Sequence, residues 1–358
     1  WMAGSQYVYS FAKCIFMPSD LTAGIEFNQD KLEDNMWGYN RTVDQKVNIG
    51  SAFLQNEWKN EHWGFLIGGR LDKHNLIDHV IFSPRANLRY NPTENINLRF
   101  SYSSGFRAPQ AFDEDLHVEN VGGNVAMVEL ADNLKEERSQ SLSASADIYH
   151  RFGAFQVNFL IEGFYTKLSD VFALTDGETV DGILTRTRYN APGARVMGLT
   201  LEGKMAYLTK FQLQAGVTLQ QSHYSEPHVW NPDAPAVKKM MRTPNTYGYF
   251  TATYTPIKPL SIALSGTYTG SMLVPHEPVP GFLENPITVN TKDFFDIGLK
   301  AAYDFKLYKS MNLQVNAGIQ NIFNAYQNDF DKGADRDSGY IYGPSLPRSF
   351  FAGVKISY

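Results

Sequence analysis

The sequence predicts an all-β protein, an antiparallel barrel that crosses a membrane with about fifteen strands. Three observations predict it. Apolar and polar residues alternate in segment after segment, with the period of two that belongs to strands whose faces meet different surroundings. The connections alternate between short and long, as in outer-membrane barrels, where inner turns are tight and outer loops extended. Rings are abundant and charge is thin, 14% aromatic and 19% charged, against about 25% charged in an average soluble domain. Mean hydropathy is −0.32, and no run of about 18 apolar residues occurs, so a crossing must be made by strands.

The strands justify this reading in turn. Tyr7, Tyr9 and Phe11 mark the first. Ile96, Leu98, Phe100 and Tyr102 share one face of a later strand, with Asn97, Arg99, Ser101 and Ser103 on the other. Phe211, Leu213, Ala215, Val217 and Leu219 alternate with Gln212, Gln214, Gly216, Thr218 and Gln220. Leu260, Ile262 and Leu264 alternate with Ser261, Ala263 and Ser265. Phe295, Ile297, Leu299, Ala301, Tyr303 and Phe305 oppose Asp296, Gly298, Lys300, Ala302 and Asp304. Leu313, Val315, Ala317 and Ile319 oppose Gln314, Asn316, Gly318 and Gln320. Phe350, Ala352, Val354, Ile356 and Tyr358 form the oily face of the last strand. A soluble sandwich also alternates, but its outer face carries many Lys and Glu and its strands average about five or six residues. Here the wet face is Gln, Asn, Ser, Thr and Gly, and strands of about ten or more residues match a tilted bilayer crossing. Rings near strand ends, such as Tyr102, Phe106, Tyr247, Tyr249, Tyr254 and Tyr308, suit interfacial girdles.

Short links are expected at Pro18 to Asp20, Lys59 to Glu61, Pro92 to Glu94, Phe152 and Gly153, Leu208 to Lys210, Pro256 to Pro259, and Leu307 to Ser310. Longer ones are expected from Lys31 to Asp44, Arg107 to Arg138, Ser225 to Met241, Ser271 to Lys292 and Asn324 to Pro347, with a shorter outer one around His74 to Asp78. On this pattern the first and last strands both run inward, and the strand count is odd. Single-chain barrels usually have an even count and start outward, so further strands are expected upstream. No secretory leader pattern opens the chain at Trp1, which fits a mature chain or a piece of a longer one. The net charge of −5 without a basic block argues against a nucleic-acid partner. Cys14 is the single cysteine, so it forms no internal disulfide or cysteine metal cluster and reads as a small strand side chain.

Tyr102 to Phe106, followed by Arg107, Ala108 and Pro109, resembles the strand-then-loop motif of TonB-dependent receptors, in which a barrel strand ends in Gly-Phe-Arg-Ala-Pro; here that is Gly105, Phe106, Arg107, Ala108 and Pro109. Leu134, Lys135, Glu136, Glu137 and Ser139 resemble the family's Leu-Lys-Pro-Glu-x-Ser run, with Glu136 in place of Pro. Asn190, Gly198 and Glu202 resemble its Asn...Gly-Val-Glu-x-Glu strand, with Leu199 and Thr200 where Val and Glu are usual. Asn321, Ile322, Phe323 and Tyr326 look like the end of the family's penultimate strand. Gly339, Tyr340, Tyr342, Gly343, Pro344, Pro347, Arg348 and Phe350 look like the opening of its last. Phe350, Val354, Ile356 and Tyr358 are similar to the signal read by the outer-membrane assembly machinery.

This resemblance implies that residues 1–358 are a partial barrel of about twenty-two strands, with the plug domain absent from this chain. It implies residence in the bacterial outer membrane and import of a scarce chelate: a ferric siderophore or haem first, cobalamin next. It also implies partners: membrane lipid, the protein's own plug and N-terminal strands, TonB as energy source, and a surface lipoprotein. No resident cofactor is expected. An enzyme is not expected either, because no Gly-x-Ser-x-Gly, His-Glu-x-x-His or phosphate-loop pattern occurs, although a rim hydrolase remains an alternative. A passive porin-like channel is the other.

Candidate substrate-binding residues lie in the expected outer loops: His117, His223, His228 and His276, whose imidazoles suit iron and other transition metals, Trp230, which could stack on a planar ligand, and Tyr340 and Tyr342. Asp329, Asp331, Asp335 and Asp337 around Gly333 and Gly339 are oxygen ligands at a spacing loosely like a calcium loop. The distal Glu of such a loop is lacking, and Lys332 and Arg336 are alternative partners. Arg99, Lys204, Lys300 and Lys355 are expected to point into the lumen, since a cation facing lipid near mid-bilayer costs about 2–4 kcal/mol.

Overall fold

The computed structural model describes residues 1–37, 41–109, 125–180, 183–308, 310–333 and 336–358. Among them every regular element is a strand. In chain order these are β1 (Met2–Cys14), β2 (Met17–Met36), β3 (Arg41–Lys59), β4 (Trp63–His74), β5 (Ile81–Thr93), β6 (Ile96–Arg107) and β7 (Val125–Leu130). There follow β8 (Glu137–Phe152), β9 (Phe155–Ser169), β10 (Val171–Val180), β11 (Ile183–Ala191), β12 (Ala194–Tyr207), β13 (Phe211–His228) and β14 (Val237–Lys239). Last come β15 (Thr246–Ile257), β16 (Leu260–Thr269), β17 (Leu273–His276), β18 (Ile287–Asn290), β19 (Phe294–Lys306), β20 (Asn312–Gln320) and β21 (Ser349–Ser357).

Fifteen of them pair in one antiparallel path, β1-β2-β3-β4-β5-β6-β8-β9-β12-β13-β15-β16-β19-β20-β21, with β14 attached to β13. The alternation expected from the sequence sets the register. Leu213, Ala252, Leu264, Leu299, Ile319 and Phe350 oppose one another across six strands. One residue along each strand, Gln214, Thr251, Ser265 and Gly298 form the matching row of the other face. A slip of one residue would exchange the two faces. On the polar face the side chains pair across strands. Arg70 of β4 meets Glu26 of β2 at 3.3 Å, as well as Asp72 on its own strand at 2.8 Å, and Tyr249 of β15 donates to Glu202 of β12 at 3.0 Å. By register Lys300 lies on the same face as Ala263, Thr253 and Gln212, opposite in sense to Leu299.

The position of the buried apolar groups separates a membrane wall from a soluble sandwich. Among the described residues the buried hydrophobics are Val47, Ile77, Ile81, Ala194, Met272, Val274, Val279, Phe294 and Tyr340; all lie at the long-loop ends of strands or in the long loops themselves. Among the described residues no dry core lies behind the middle of the wall: Leu54 is 56% exposed, Ile67 62% and Phe100 48%. In a sandwich these side chains would be packed against a second sheet. Here they form a continuous apolar surface, as a lipid-facing wall requires.

The connections correct several sequence expectations. The first hairpin turns at Ile15 and Phe16, with Ile15 at φ 64°, ahead of Pro18, which already sits in β2. Lys31 to Asp44 is largely not a loop: β2 and β3 continue outward and stay paired from Lys31↔Lys46 to Met36↔Arg41. Asn321 to Tyr326 and Gly339 to Arg348 lie in the connection between β20 and β21 rather than in strands. The other short turns fall where expected, including Gly153 at φ 59°, a left-handed position natural to glycine. Between β9 and β12 an outer hairpin, β10 paired with β11, was not anticipated, and β7 joins it in parallel.

Candidate functional site

The long connections gather at one end of the wall and enclose a cavity of about 1000 Å³. Its walls come from β10 and β11, the end of β13, the segment after it, the β17–β18 hairpin and the last connection. Asn190 ties the first of these in place: its amide donates to the carbonyls of Lys135 (3.0 Å) and Asp170 (2.8 Å), and its oxygen accepts from the Lys135 N–H (2.8 Å). Thus two of the motif segments noted in the sequence, around Lys135 and Asn190, meet in space. The Glu137 carboxylate accepts from the Phe172 N–H at 3.0 Å. Two guanidiniums lie over the Phe172 ring, Arg107 at 4.9 Å and Arg188 at 5.7 Å from its centre, a cation–π arrangement. Arg188 is fully buried.

The opposite wall is built on the last connection. Buried Gln327 acts as its clasp: the side-chain amide donates to Tyr340 O (2.9 Å), while its oxygen accepts from the N–H groups of Tyr342 (2.8 Å) and Gly343 (3.3 Å). Arg242 donates to the carbonyls of Gly339 and Ile341 at 2.5 and 2.8 Å. His276 is buried, stacked on Tyr340 with centroids 3.8 Å apart, and its Nε2 lies 2.8 Å from Asp331. Asp329 accepts from the hydroxyls of Tyr342 (2.6 Å) and Tyr340 (3.3 Å). Asp337 accepts from the N–H groups of Glu277 (2.9 Å) and Gly339 (2.8 Å).

Most of the residues singled out from the sequence therefore converge. His228 and Trp230 line the cavity, and His276 with Tyr340, Tyr342, Asp329, Asp331 and Asp337 forms the cluster beside it. Burial lowers the His228 pKa, favouring the neutral imidazole, in which one of the two ring nitrogens is free of a proton. Trp230 Nε1 is buried without a hydrogen-bond partner among the described residues. His223 stands elsewhere, in register with Arg195 and on the face of Leu219 and Gln221. His117 and Asp335 lie outside the described residues. Of the motif, Gly105 and Phe106 end β6 with Arg107, and Pro109 just beyond is fully buried. Sequence reading missed Phe172, Arg188 and Gln327. A lone Gln in a loop gives no periodic signal, and the β10–β11 hairpin carries no motif of its own before Asn190.

Ligand atoms of His276, Asp331 and Asp337 all lie within 4.8 Å of one another. Among the described residues the set is one imidazole and two carboxylates, and its nitrogen suits a transition metal. Asp329 is turned away from this set, toward the two phenols. Those phenols are held protonated, by burial first and by the Asp329 carboxylate second, which pushes Tyr340 up to about 12 and raises Tyr342 likewise. A raised acid favours the fold while protonated, so this contribution is whole below the ordinary phenol pKa of about 10 and is lost as pH climbs through the raised values. Tyrosinate absorbance should therefore show Tyr340 and Tyr342 ionising after the freely exposed phenols, and Asp329→Asn should bring them earlier. An unchanged titration in Asp329→Asn would contradict the geometry.

Four arginines, Arg186, Arg188, Arg242 and Arg336, line the cavity against three carboxylates, Glu226, Glu277 and Asp337. Phe172, Tyr189, Tyr224 and Trp230 add rings. The lining is thus aromatic with a slight cationic excess, which suits a flat or polycyclic anion.

A family model described as "TonB dependent receptor-like, beta-barrel" matches residues 4–322. No curated protein matches. Among solved structures, the siderophore receptor PirA from Acinetobacter baumannii superposes with a TM-score of 0.73 at 15% identity, covering 100% of this chain and 54% of that one. A mutant of the ferric enterobactin receptor PfeA from Pseudomonas aeruginosa gives 0.68 at 18%, over 99% and 53%. The ferric-catecholate import receptor Fiu from E. coli gives 0.67 at 14%, over 99% and 54%. These likenesses carry the fold. The chain spans about half the length of these structures.

Proposed function

Because the chain belongs to the TonB-dependent receptor family, whose β-barrel model matches residues 4–322, we propose that it is the wall and outer mouth of a receptor that captures and imports an iron chelate. The family resides in the bacterial outer membrane and consists of receptors, not enzymes. The observation that carries the proposal is the outer cavity, whose volume of about 1000 Å³ is at the upper end of ligand pockets, about 300–1,000 Å³. Its arginines would attract an anionic chelate by charge-assisted hydrogen bonds, and Trp230 would offer both a ring face and an unpartnered N–H. A ferric siderophore fits this chemistry first, haem next through the neutral His228, and cobalamin after them. The three structural neighbours described above are named for siderophores or ferric catecholates, which supports that order.

Movement of the bound chelate through the wall is proposed to depend on a plug domain and on energy from TonB. A surface lipoprotein would be an accessory at the same mouth. β1 and β21 each pair with one neighbour here. Unpaired backbone groups in lipid cost several kcal/mol each, so further strands of the protein are proposed to close the wall between them. Phe350, Val354, Ile356 and Tyr358 would serve as the assembly signal. The membrane-facing wall includes Phe350, Val354 and Ile356, 74%, 66% and 63% exposed.

Uptake of radiolabelled ferric siderophore by iron-starved cells tests the proposal. The expected result is binding that survives loss of TonB and accumulation that does not. Accumulation independent of TonB, with steady ion conductance through the purified full-length protein, would instead establish a passive channel.

A further inference from the structure

The membrane-facing side of the wall is not uniformly smooth. Toward the outer ends of β6, β8, β9, β12 and β13 a groove of about 870 Å³ runs over its apolar face. The row Phe100, Ala144, Gly163, Leu199 and Leu219 supplies its floor. Small residues sit at the centre, Ala144 and Gly163, and a Cβ placed on Gly163 would meet nothing within 4 Å. Leu142, Tyr165 and Met197 form the next row outward. Two residues further, about 7 Å along the strand, the same face carries Lys167 opposite Arg195, and His223 opposite both Arg195 and Lys239.

Like charges directly opposite each other on adjacent strands destabilise a sheet. Lys167 and Arg195 are such a pair, both exposed, and among the described residues neither they nor Lys239 has a carboxylate partner. The arrangement becomes favourable when an anion stands between them. Directly below lies an apolar groove facing hydrocarbon. We propose that this side of the wall holds a lipid of the outer leaflet whose phosphate headgroup carries a net negative charge, its acyl chains in the groove and its headgroup among Lys167, Arg195 and Lys239.

The occupant follows from the two chemistries in sequence along the strands. A free phosphate would use the cations but not the groove, and a neutral lipid the groove but not the cations. Lys and Arg beside a membrane interface recognise anionic headgroups in this way. The inference rests on the reading of the oily face as membrane-facing, but not on the identity of any imported chelate, since the groove and the outer cavity share no lining residue.

Native mass spectrometry of the full-length protein in detergent tests it, with dipalmitoyl phosphatidylglycerol, dipalmitoyl phosphatidylcholine and inorganic phosphate as probes. The wild-type protein should retain the glycerol lipid over the choline lipid by at least about tenfold, with inorganic phosphate neither retained nor competing. Lys167→Gln/Arg195→Gln/Lys239→Gln should lose the preference, Gly163→Leu should reduce retention of both lipids, and Lys167→Arg/Arg195→Lys should keep it. Equal retention of the two lipids by the wild-type protein would overturn the proposal without reference to any variant. So would an unchanged preference in the triple substitution, or displacement of the lipid by inorganic phosphate. Failure of the membrane-facing reading itself would show separately, as loss of lipid contact along the whole oily face.

Discussion

Leu299→Arg is expected to prevent stable assembly of the wall, while Lys300→Gln one residue away is expected to be tolerated. Leu299 sits in the middle of β19, in register with Leu264 and Ile319, and faces away from the row that holds Lys300, Ala263 and Gly318. A guanidinium on the lipid side near mid-bilayer costs about 2–4 kcal/mol, a factor of about thirty or more in the folded population. On the other face a cation is already accommodated beside water, so exchanging Lys300 for another polar group leaves the balance almost unchanged. Heat-modifiable mobility on gels, together with yield in the outer-membrane fraction, reports both. Leu299→Arg assembling like the unaltered protein would remove the main support for a lipid-facing wall.

Replacing Arg186 and Arg188 together by Ala is expected to weaken chelate binding by about a hundredfold or more, since hydrogen bonds to charged groups contribute about 1.5–3 kcal/mol each. Both guanidiniums line the outer cavity, and both belong to β11, which Asn190 fastens to the segment before β8. Arg188 also lies over Phe172, so part of the loss arises from a loosened hairpin. Phe172→Leu keeps an apolar side chain while removing the ring, and separates the two contributions: it should cost less than the double replacement. Tryptophan fluorescence quenching by a ferric siderophore, with Trp230 at the cavity wall, gives the affinity. An unaltered dissociation constant in the double variant, with the barrel still heat-modifiable, would move the binding site elsewhere.

The wall was readable in the sequence because its physics is periodic. Phe295 to Phe305 must alternate if one side meets hydrocarbon and the other water, so the faces, the fifteen-strand path and most short turns follow from the pattern alone. Where the pattern fades, so does the reading. From Lys31 to Asp44 the strands leave the membrane and both faces meet water, so alternation disappears although hydrogen bonding continues through Asp34↔Val43. The β10–β11 hairpin is hidden for the same reason. Of the site, the residues with distinctive chemistry, His228, Trp230, His276 and the aspartates near Gly333, could be named from their loops. Their convergence could not, because it depends on Gln327 and Arg242 folding the last connection back on itself through backbone carbonyls and amides. Such clasps leave no spacing rule in the sequence.

The proposed import depends most on which way the two faces of the wall point, and spin labels placed singly at residues 295 to 301 of the full-length protein in lipid bilayers measure that directly. Collision with oxygen, which concentrates in hydrocarbon, should be high at 295, 297, 299 and 301; collision with a water-soluble nickel chelate should be high at 296, 298 and 300. A strict two-residue alternation of opposite phase for the two probes is the predicted result. Labels at 297 and 299 shielded from both probes would mean a dry protein interior behind Ile297 and Leu299, and would contradict the membrane wall on which the proposed import rests.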